Sequence, residues 1–392
     1  MSQLQEVYIV AAVRTPIAAF RGSFSTLTSV DLGAHVAKES LHRAGLRPDE
    51  VEETIAGSVL TANQGQNVAR QIAIKAGVPN TSLAYTVNKV CSSSLKALIL
   101  AAQSIQLGVR NTVLVVGTES MSQAPFYLNR GEHAYGEIKL VDAIPRDGIS
   151  DAILGDPMGL CAEKTVKDYG VTRQDQDAYA LESYRRAAEA WKTGGYSKEV
   201  VSVPVKQRRG PDVVVSEDEE YKRLDESRLP TLPPAFIKDG SGTITAANAS
   251  SLNDGAASLV VVAGHKVQGS VAPIAKLIGY AEGACAPIDF TIAPVNAVKN
   301  LLKASGISKD SIARWEVNEA FSITALAFIK ELGLDRNRVN VRGGAVALGH
   351  PIGMSGARIV VTLVHQLEPG QYGVAAICNG GGEATAVLVQ RV

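Results

Sequence analysis

The chain has 392 residues, and at ~100–200 residues per compact unit this implies more than one domain. Lysine plus arginine and aspartate plus glutamate balance at 39 each, which removes any global charge for holding nucleic acid or an anionic membrane. No apolar run approaches the ~20 residues of a membrane span, and 46% hydrophobic residues are enough for a sizeable core. The four cysteines, Cys91, Cys161, Cys285 and Cys378, have neither disulfide-like pairing nor a Cys-x-x-Cys zinc clamp, as expected in a reducing compartment. A strand pattern begins at Val7, leaving no room for a leader, and residues 388–392 carry no peroxisomal address, so the cytoplasm is the expected location.

In chain order, residues 7–13 read as a strand, 31–44 as a helix stopped by Gly45, and 51–59 as a strand. Residues 68–76 are helical and 84–87 are β-rich. A buried-helix recurrence follows through Leu95, Leu98, Ile99, Ala102 and Ile105. Residues 112–117 form the next strand, and this alternation predicts a parallel-type sheet in an α/β layer over 1–121. From 122 to 246 the pattern changes to charge clusters, proline turns and one amphipathic helix over 173–192, an inserted loop-rich subdomain. The α/β pattern resumes near Asn248, so that 247–270 complete the first half and 271–392 form the second. There, 293–305, Gly306-Ile307 and 312–317 echo 32–44, Gly45-Leu46 and 51–55. Val339-Asn340 precede a glycine-rich helix start as Val87-Asn88 precede Cys91. The pattern predicts two duplicated α/β halves whose helix N-termini converge on one cleft.

Four stretches carry chemistry. Cys91 falls at a strand-to-helix junction, where free N–H groups and the positive end of the dipole are expected to lower its pKa, with Ser92 to Ser94 offering cap oxygens. Its bland alternative is a buried structural cysteine. Gly349-His350-Pro351 frames a histidine with glycine and a stiff turn, a setting that His35, His42, His133, His265 and His365 lack. The stretch has no Gly-Lys-Ser/Thr ending, which excludes a phosphate loop. Cys378-Asn379-Gly380-Gly381-Gly382 ends a buried strand, and its glycines serve either as oxyanion-hole N–H donors or as a tight turn. Asn318 and Glu319 end another strand; Asn318 suits a helix cap or a water-holding role, and Glu319 a buried polar role.

Asn88-Lys89-Val90-Cys91, Asn318-Glu319-Ala320-Phe321, Gly349-His350-Pro351 and Cys378-x-Gly380-Gly381-Gly382, in this order, resemble the thiolases over essentially the whole chain, and among them the acetyl-CoA acetyltransferases. The resemblance implies layered α-β-α-β-α halves and a ping-pong Claisen condensation of two acetyl-CoA to acetoacetyl-CoA and CoA. It makes Cys91 the acylated nucleophile and His350 the acceptor of its proton. Cys378 becomes the α-proton base, with Asn318 placing a water, and the N–H groups of Cys91 and Gly380 form an oxyanion hole. It also implies Ser250, Met158, Ala320 and Phe321 on the pantetheine of coenzyme A, with Arg223 beside the adenine. A potassium ion would lie among Tyr184 and the carbonyls of Ala246, Ala247, Ala249 and Val346. No redox cofactor is implied. The expected assembly is a homotetramer with residues 125–144 as a contact, and the expected role is supply of isoprenoid and sterol precursors. Ser92 and Ser94 stand where many relatives have glycine or alanine, and Pro157 where a histidine is common. The alternatives are a 3-ketoacyl-CoA thiolase for longer chains and a non-catalytic acyl-CoA-binding relative. Against the latter, Cys91, His350 and Cys378 are all present.

Overall fold

The computed structural model describes residues 4–131, 136–207, 209–269 and 271–392, so His133 and part of the 125–144 contact segment lie outside the described residues. The chain first builds β1 (Val7–Arg14), the short β2 (Ala18–Ala19), α1 (Ser29–Ala44), β3 (Glu53–Gly57), α2 (Val68–Lys75), β4 (Leu83–Val87), α3 (Ser93–Gln106) and β5 (Thr112–Ser120). The next stretch carries two small ladders, β6 (Phe126–Tyr127) with β7 (Val141–Asp142) and β8 (Val203–Val205) with β9 (Val213–Val215). It also holds α4 (Met158–Tyr169) and α5 (Arg173–Lys192). After it come β10 (Asn253–Ala263), β11 (Ala275–Ala284), α6 (Ala293–Ser305), β12 (Ile312–Val317), α7 (Ser322–Leu332), α8 (Ala345–Leu348), α9 (Ser355–Val364), β13 (Tyr372–Asn379) and β14 (Glu383–Arg391).

One ten-stranded sheet runs β12-β13-β14-β11-β1-β10-β5-β3-β4, with β2 on β10. From its centre outward the two wings repeat each other. β1 pairs with β10 and β10 with β5 antiparallel, then β5 with β3 and β3 with β4 parallel. On the other side β11 pairs with β14 and β14 with β13 antiparallel, then β13 with β12 parallel, and Val339 bridges Trp315 in the place β4 takes in the first wing. The expected parallel sheet is therefore mixed. β13 turns straight back into β14, and β10 follows the insertion instead of a crossover helix, so neither strand is forced to run parallel. Among the described residues the two wings of the sheet pair where Val7, Tyr8 and Ile9 meet Leu277, Lys276 and Ala275.

Successive strand side chains point to opposite faces, and this sorts the core into layers. Val113 and Val115 pack with α3 and α9, whereas Leu114 and Val116 face α1 and α2. In the other wing Ala375 and Ile377 join the α3/α9 core, and Val374 and Ala376 pack with α6 and α7. The result is α-β-α-β-α, with α3 and α9 as the shared central layer. All ten residues of α9 are buried. It crosses α3 at Gly356, where a Cβ would lie 2.6 Å from the Leu95 nitrogen. Both helices start at the same end, beside the β13–β14 turn.

Candidate active site

Val90, with φ of +48°, turns the chain into Cys91 and α3. Ser92 occupies the cap position, yet no serine caps the helix. The Ser92 hydroxyl donates to the Ile377 carbonyl at 3.3 Å, next to Cys378. Ser93 accepts from the Lys89 N–H at 2.9 Å and donates to the Val90 carbonyl. Ser94 accepts from the Ala357 N–H at 2.8 Å and donates to the Met354 carbonyl at 3.2 Å. The serines are cross-links between the nucleophile turn, β13 and the start of α9. The expected low pKa of Cys91 is also corrected. Burial pushes the thiol up to about 12, although the N–H groups of Gly380 and of Cys91 itself face the sulfur and oppose the rise. Loss of water outweighs the helix terminus because a thiolate in an apolar pocket forfeits its solvation.

His350 is held at three points. Its N–H donates to Asn253 Oδ1 at 3.0 Å, and its Nδ1 lies 2.5 Å from the Ser355 hydroxyl. That hydroxyl donates to the Pro351 carbonyl at 3.0 Å. Having one proton to give, it accepts from His350 Nδ1–H, which leaves the lone pair on Nε2. Asn318 Nδ2 approaches Nε2 at 3.5 Å. Burial, with the Arg358 charge second, lowers the His350 pKa to about 3, so the imidazole is neutral. Asn318 does not cap α7, whose cap position is Phe321; its Oδ1 is buried without a protein partner among the described residues. Glu319 has the buried polar role expected of it. It accepts from Tyr179, Ser183 and Asn340 at 2.8 Å each and from the Val346 N–H at 3.1 Å.

Cys378 is fully buried at the end of β13. Burial raises its pKa well above the ordinary thiol range, and Cys91 is the second cause. The glycine triplet makes the tight turn that was one of its two expected roles. Gly381 and Gly382, at φ of +89° and +85°, turn β13 into β14, while the Gly380 N–H points at Cys91. Buried Asp151 fixes the turn by accepting the Gly381 N–H at 3.2 Å.

A mainly apolar cavity of about 260 Å³ opens beside these groups, lined by Cys91, His350, Met158, Ser250, Ala320 and Phe321. Four of the five expected coenzyme A residues thus share a cavity with two of the chemistry-bearing ones. Cys378 lies behind its wall, packed with Met158 and Phe321 in one apolar cluster. Arg223 is apart, an exposed guanidinium on Glu220 at 3.2 Å. Ser250 donates to the Ala320 carbonyl at 2.9 Å, and Ala249 pairs with Phe321. Phe236 and Phe290, which the sequence did not single out, set their rings edge-on to Phe321 at 6.4 Å. Of the expected cation ligands, Tyr184 lies in the field of Glu220 and Glu319, which add to the effect of burial in raising its phenol to about 12. Glu319 also holds Val346. Ala247 is buried, Ala246 exposed.

The thiolase N-terminal domain family matches residues 7–265 and the thiolase C-terminal domain family residues 271–391. The mitochondrial acetyl-CoA acetyltransferase of Danio rerio is 50% identical over 389 residues, covering 99% of this chain and 92% of that protein. An acetyl-CoA acetyltransferase of Yarrowia lipolytica is 50% identical, covering 100% and 98%. Among solved structures, Acat5 thiolase from Ascaris suum, in complex with coenzyme A, superposes with a TM-score of 0.96 at 60% identity over 99% of this chain and 100% of that one. Human mitochondrial 3-ketoacyl-CoA thiolase is also similar, with a TM-score of 0.94 at 35% identity and full coverage of both chains. Matched by both domain families along nearly its whole length, the chain belongs to the thiolase family.

Proposed function

We propose that the protein is an acetyl-CoA C-acetyltransferase that joins two acetyl-CoA into acetoacetyl-CoA and CoA, reversibly, through an acetyl-Cys91 intermediate. The observation that carries this reading is that Cys91 and His350 line one mainly apolar cavity together with Met158, Ser250, Ala320 and Phe321. Relatives at 50% identity named acetyl-CoA acetyltransferases support the short-chain substrate over a longer ketoacyl-CoA.

At rest both thiols and the imidazole are uncharged. In the first half-reaction Cys91 attacks the acetyl carbonyl while its proton passes to His350 Nε2. The N–H groups of Cys91 and Gly380 receive the developing oxyanion. The bond to the CoA sulfur breaks, and the Cys378 proton passes to that sulfur. The site then holds acetyl-Cys91, a His350 imidazolium and a Cys378 thiolate. In the second half that thiolate takes an α-proton from a new acetyl-CoA. The enolate oxygen is met by His350 Nε2–H and by a water on Asn318 Oδ1. The enolate carbon attacks acetyl-Cys91, a C–C bond forms and the Cys91 sulfur leaves. It recovers its proton from His350, so the balance closes.

Ser250, Met158, Ala320 and Phe321 would line the pantetheine, with Arg223 near the adenine. Potassium would be held by Tyr184 with the carbonyls of Ala246, Ala247, Ala249 and Val346, supplying fixed positive charge that steadies the loop carrying Ser250. The carboxylates of Glu220 and Glu319 near Tyr184 fit a cation there. A homotetramer through 125–144 is supported by the exposed Phe126, Leu128 and Leu140. Cytoplasmic placement and supply of sterol precursors belong to the same proposal. The zebrafish relative bears a mitochondrial name, and the chemistry proposed is the same in either compartment.

The test is incubation with labelled acetyl-CoA, peptide mapping, and thiolysis rates across ketoacyl chain lengths, with Cys378→Ser alongside. The expected results are label on Cys91, a maximum at acetoacetyl-CoA, and a variant that still acetylates Cys91 but loses ~10²–10⁴ in condensation. Label confined to Cys161 or Cys285, or a maximum at longer chains, refutes it.

A further inference from the structure

Glu119, near the end of β5, is a fully buried carboxylate with no part in the steps above. Its Oε2 accepts the N–H groups of Val59 at 3.0 Å and Gly353 at 2.9 Å, and its Oε1 that of Leu60 at 3.0 Å, with the Ser58 hydroxyl weaker at 3.5 Å. Among the described residues no lysine or arginine pairs with it. Burial raises its pKa to about 7 against the pull of these donors, so the group is costly to keep there, and packing alone would be served by an apolar side chain. What it grips explains it. Gly353 is the third residue after His350, inside the turn that ends in Ser355, the partner of His350 Nδ1. The fit is tight, for a Cβ on Gly353 would lie 2.7 Å from Ser58 Cα, 2.8 Å from Glu119 Oε2 and 2.9 Å from the Thr118 carbonyl. On its far side the same turn is tied to the nucleophile helix by Ser94, which bonds both Met354 and Ala357.

We infer that Glu119 is a positioning residue for acyl transfer: by drawing three backbone N–H groups onto one carboxylate it fixes the turn 350–355, and with it His350 Nε2, against the helix that carries Cys91. The inference rests on the activity proposed above. One further fact agrees with it: Ile352, inside the gripped turn, lines the cavity.

Two variants approach the turn from opposite sides. Glu119→Gln keeps shape and one acceptor oxygen but turns an N–H₂ toward a backbone donor, and Gly353→Ala wedges the turn away from the carboxylate. Each is compared with wild type by titrating acetylatable Cys91 with labelled acetyl-CoA, then measuring kcat per titrated site and KM. Displacement of a catalytic group by a fraction of an ångström to ~1 Å is expected to lower kcat per site about 10- to 100-fold, with KM for acetyl-CoA changed less than about threefold. Ser58→Ala, which removes only the weakest contact, is expected to stay near wild type. Should Glu119→Gln not fold, Gly353→Ala decides alone. If the folded variants contain fewer competent sites that each turn over at the wild-type rate, Glu119 is scaffold and the inference is overturned. If wild-type Cys91 takes no acetyl group, the proposed activity itself has failed and the inference falls with it.

Discussion

At Ser355 a single proton decides the chemistry of a neighbour. It is spent on the Pro351 carbonyl, so His350 donates from Nδ1 and keeps its lone pair at Nε2. Ser355→Ala removes the acceptor and frees the ring to hold its proton on either nitrogen. Roughly a 10-fold or greater fall in kcat is expected, the usual scale for impaired general acid–base catalysis, with KM for acetyl-CoA nearly unchanged and Ser355→Thr restoring part of the rate. Equal kcat in the alanine variant would show that the tautomer is set elsewhere. This residue also marks how far the sequence could be read. Cys91, His350, Asn318 and Cys378 were legible because glycines and strand ends frame them. Ser355, Glu119 and Asn253 were not, because the partner of a hydroxyl, carboxylate or amide is chosen in three dimensions by residues distant in the chain. The acidity of Cys91 was misjudged for the same reason: a helix start is visible in sequence, whereas burial is not.

Among the elements, α1 and α5 were legible through their boundaries. Thr28 with Asp31 and Thr172 with Asp175 form capping boxes, and Gly45 closes α1 in the left-handed region. The helix α4 was not, since it begins directly after Pro157 with Met158-Gly159 and has no side-chain cap. Nor was β11, whose half-buried alanine and glycine residues give no alternation. Strand direction also escaped the pattern, because apolar periodicity is the same whichever way a neighbour runs. The crossing of α3 and α9 gives a test at this scale. A methyl on Gly356 would press on the Leu95 and Ser94 contacts, and overpacking of a core typically costs ~1–3 kcal/mol. Gly356→Ala is therefore expected to lower Tm by several degrees in calorimetry, with acetylation of Cys91 slowed as both helix starts shift. An unchanged Tm would mean that the central layer has slack.

Across the whole molecule, both wings of the sheet bring candidate groups to one edge of the central layer: the turn before α3 brings Cys91, the turn before α9 His350, the end of β13 Cys378 and the turn after it Gly380. The inserted stretch contributes Met158 from α4 and Tyr184 from α5, and Glu319 ties α5 to Val346. If potassium is held at Tyr184 as proposed, it braces this junction and its effect should be global. At equal ionic strength, Tm and thiolysis rate are expected to be higher in potassium than in a large organic cation, with Tyr184→Phe reducing the difference. Equal values in both salts would remove the ion from the enzyme while leaving the acyl-transfer chemistry in place.

The burial of every residue of α9 has a consequence during synthesis. The inner face of the first wing, including Ile55, Val113, Val115 and Val261, gains its full cover only when α9 arrives. Translation at ~5–20 residues per second takes on the order of 5–20 s to add the roughly 100 residues between the end of β10 and the end of α9. For that interval the nascent chain presents a partly uncovered apolar sheet, a target for chaperones on the ribosome and for aggregation where they are scarce.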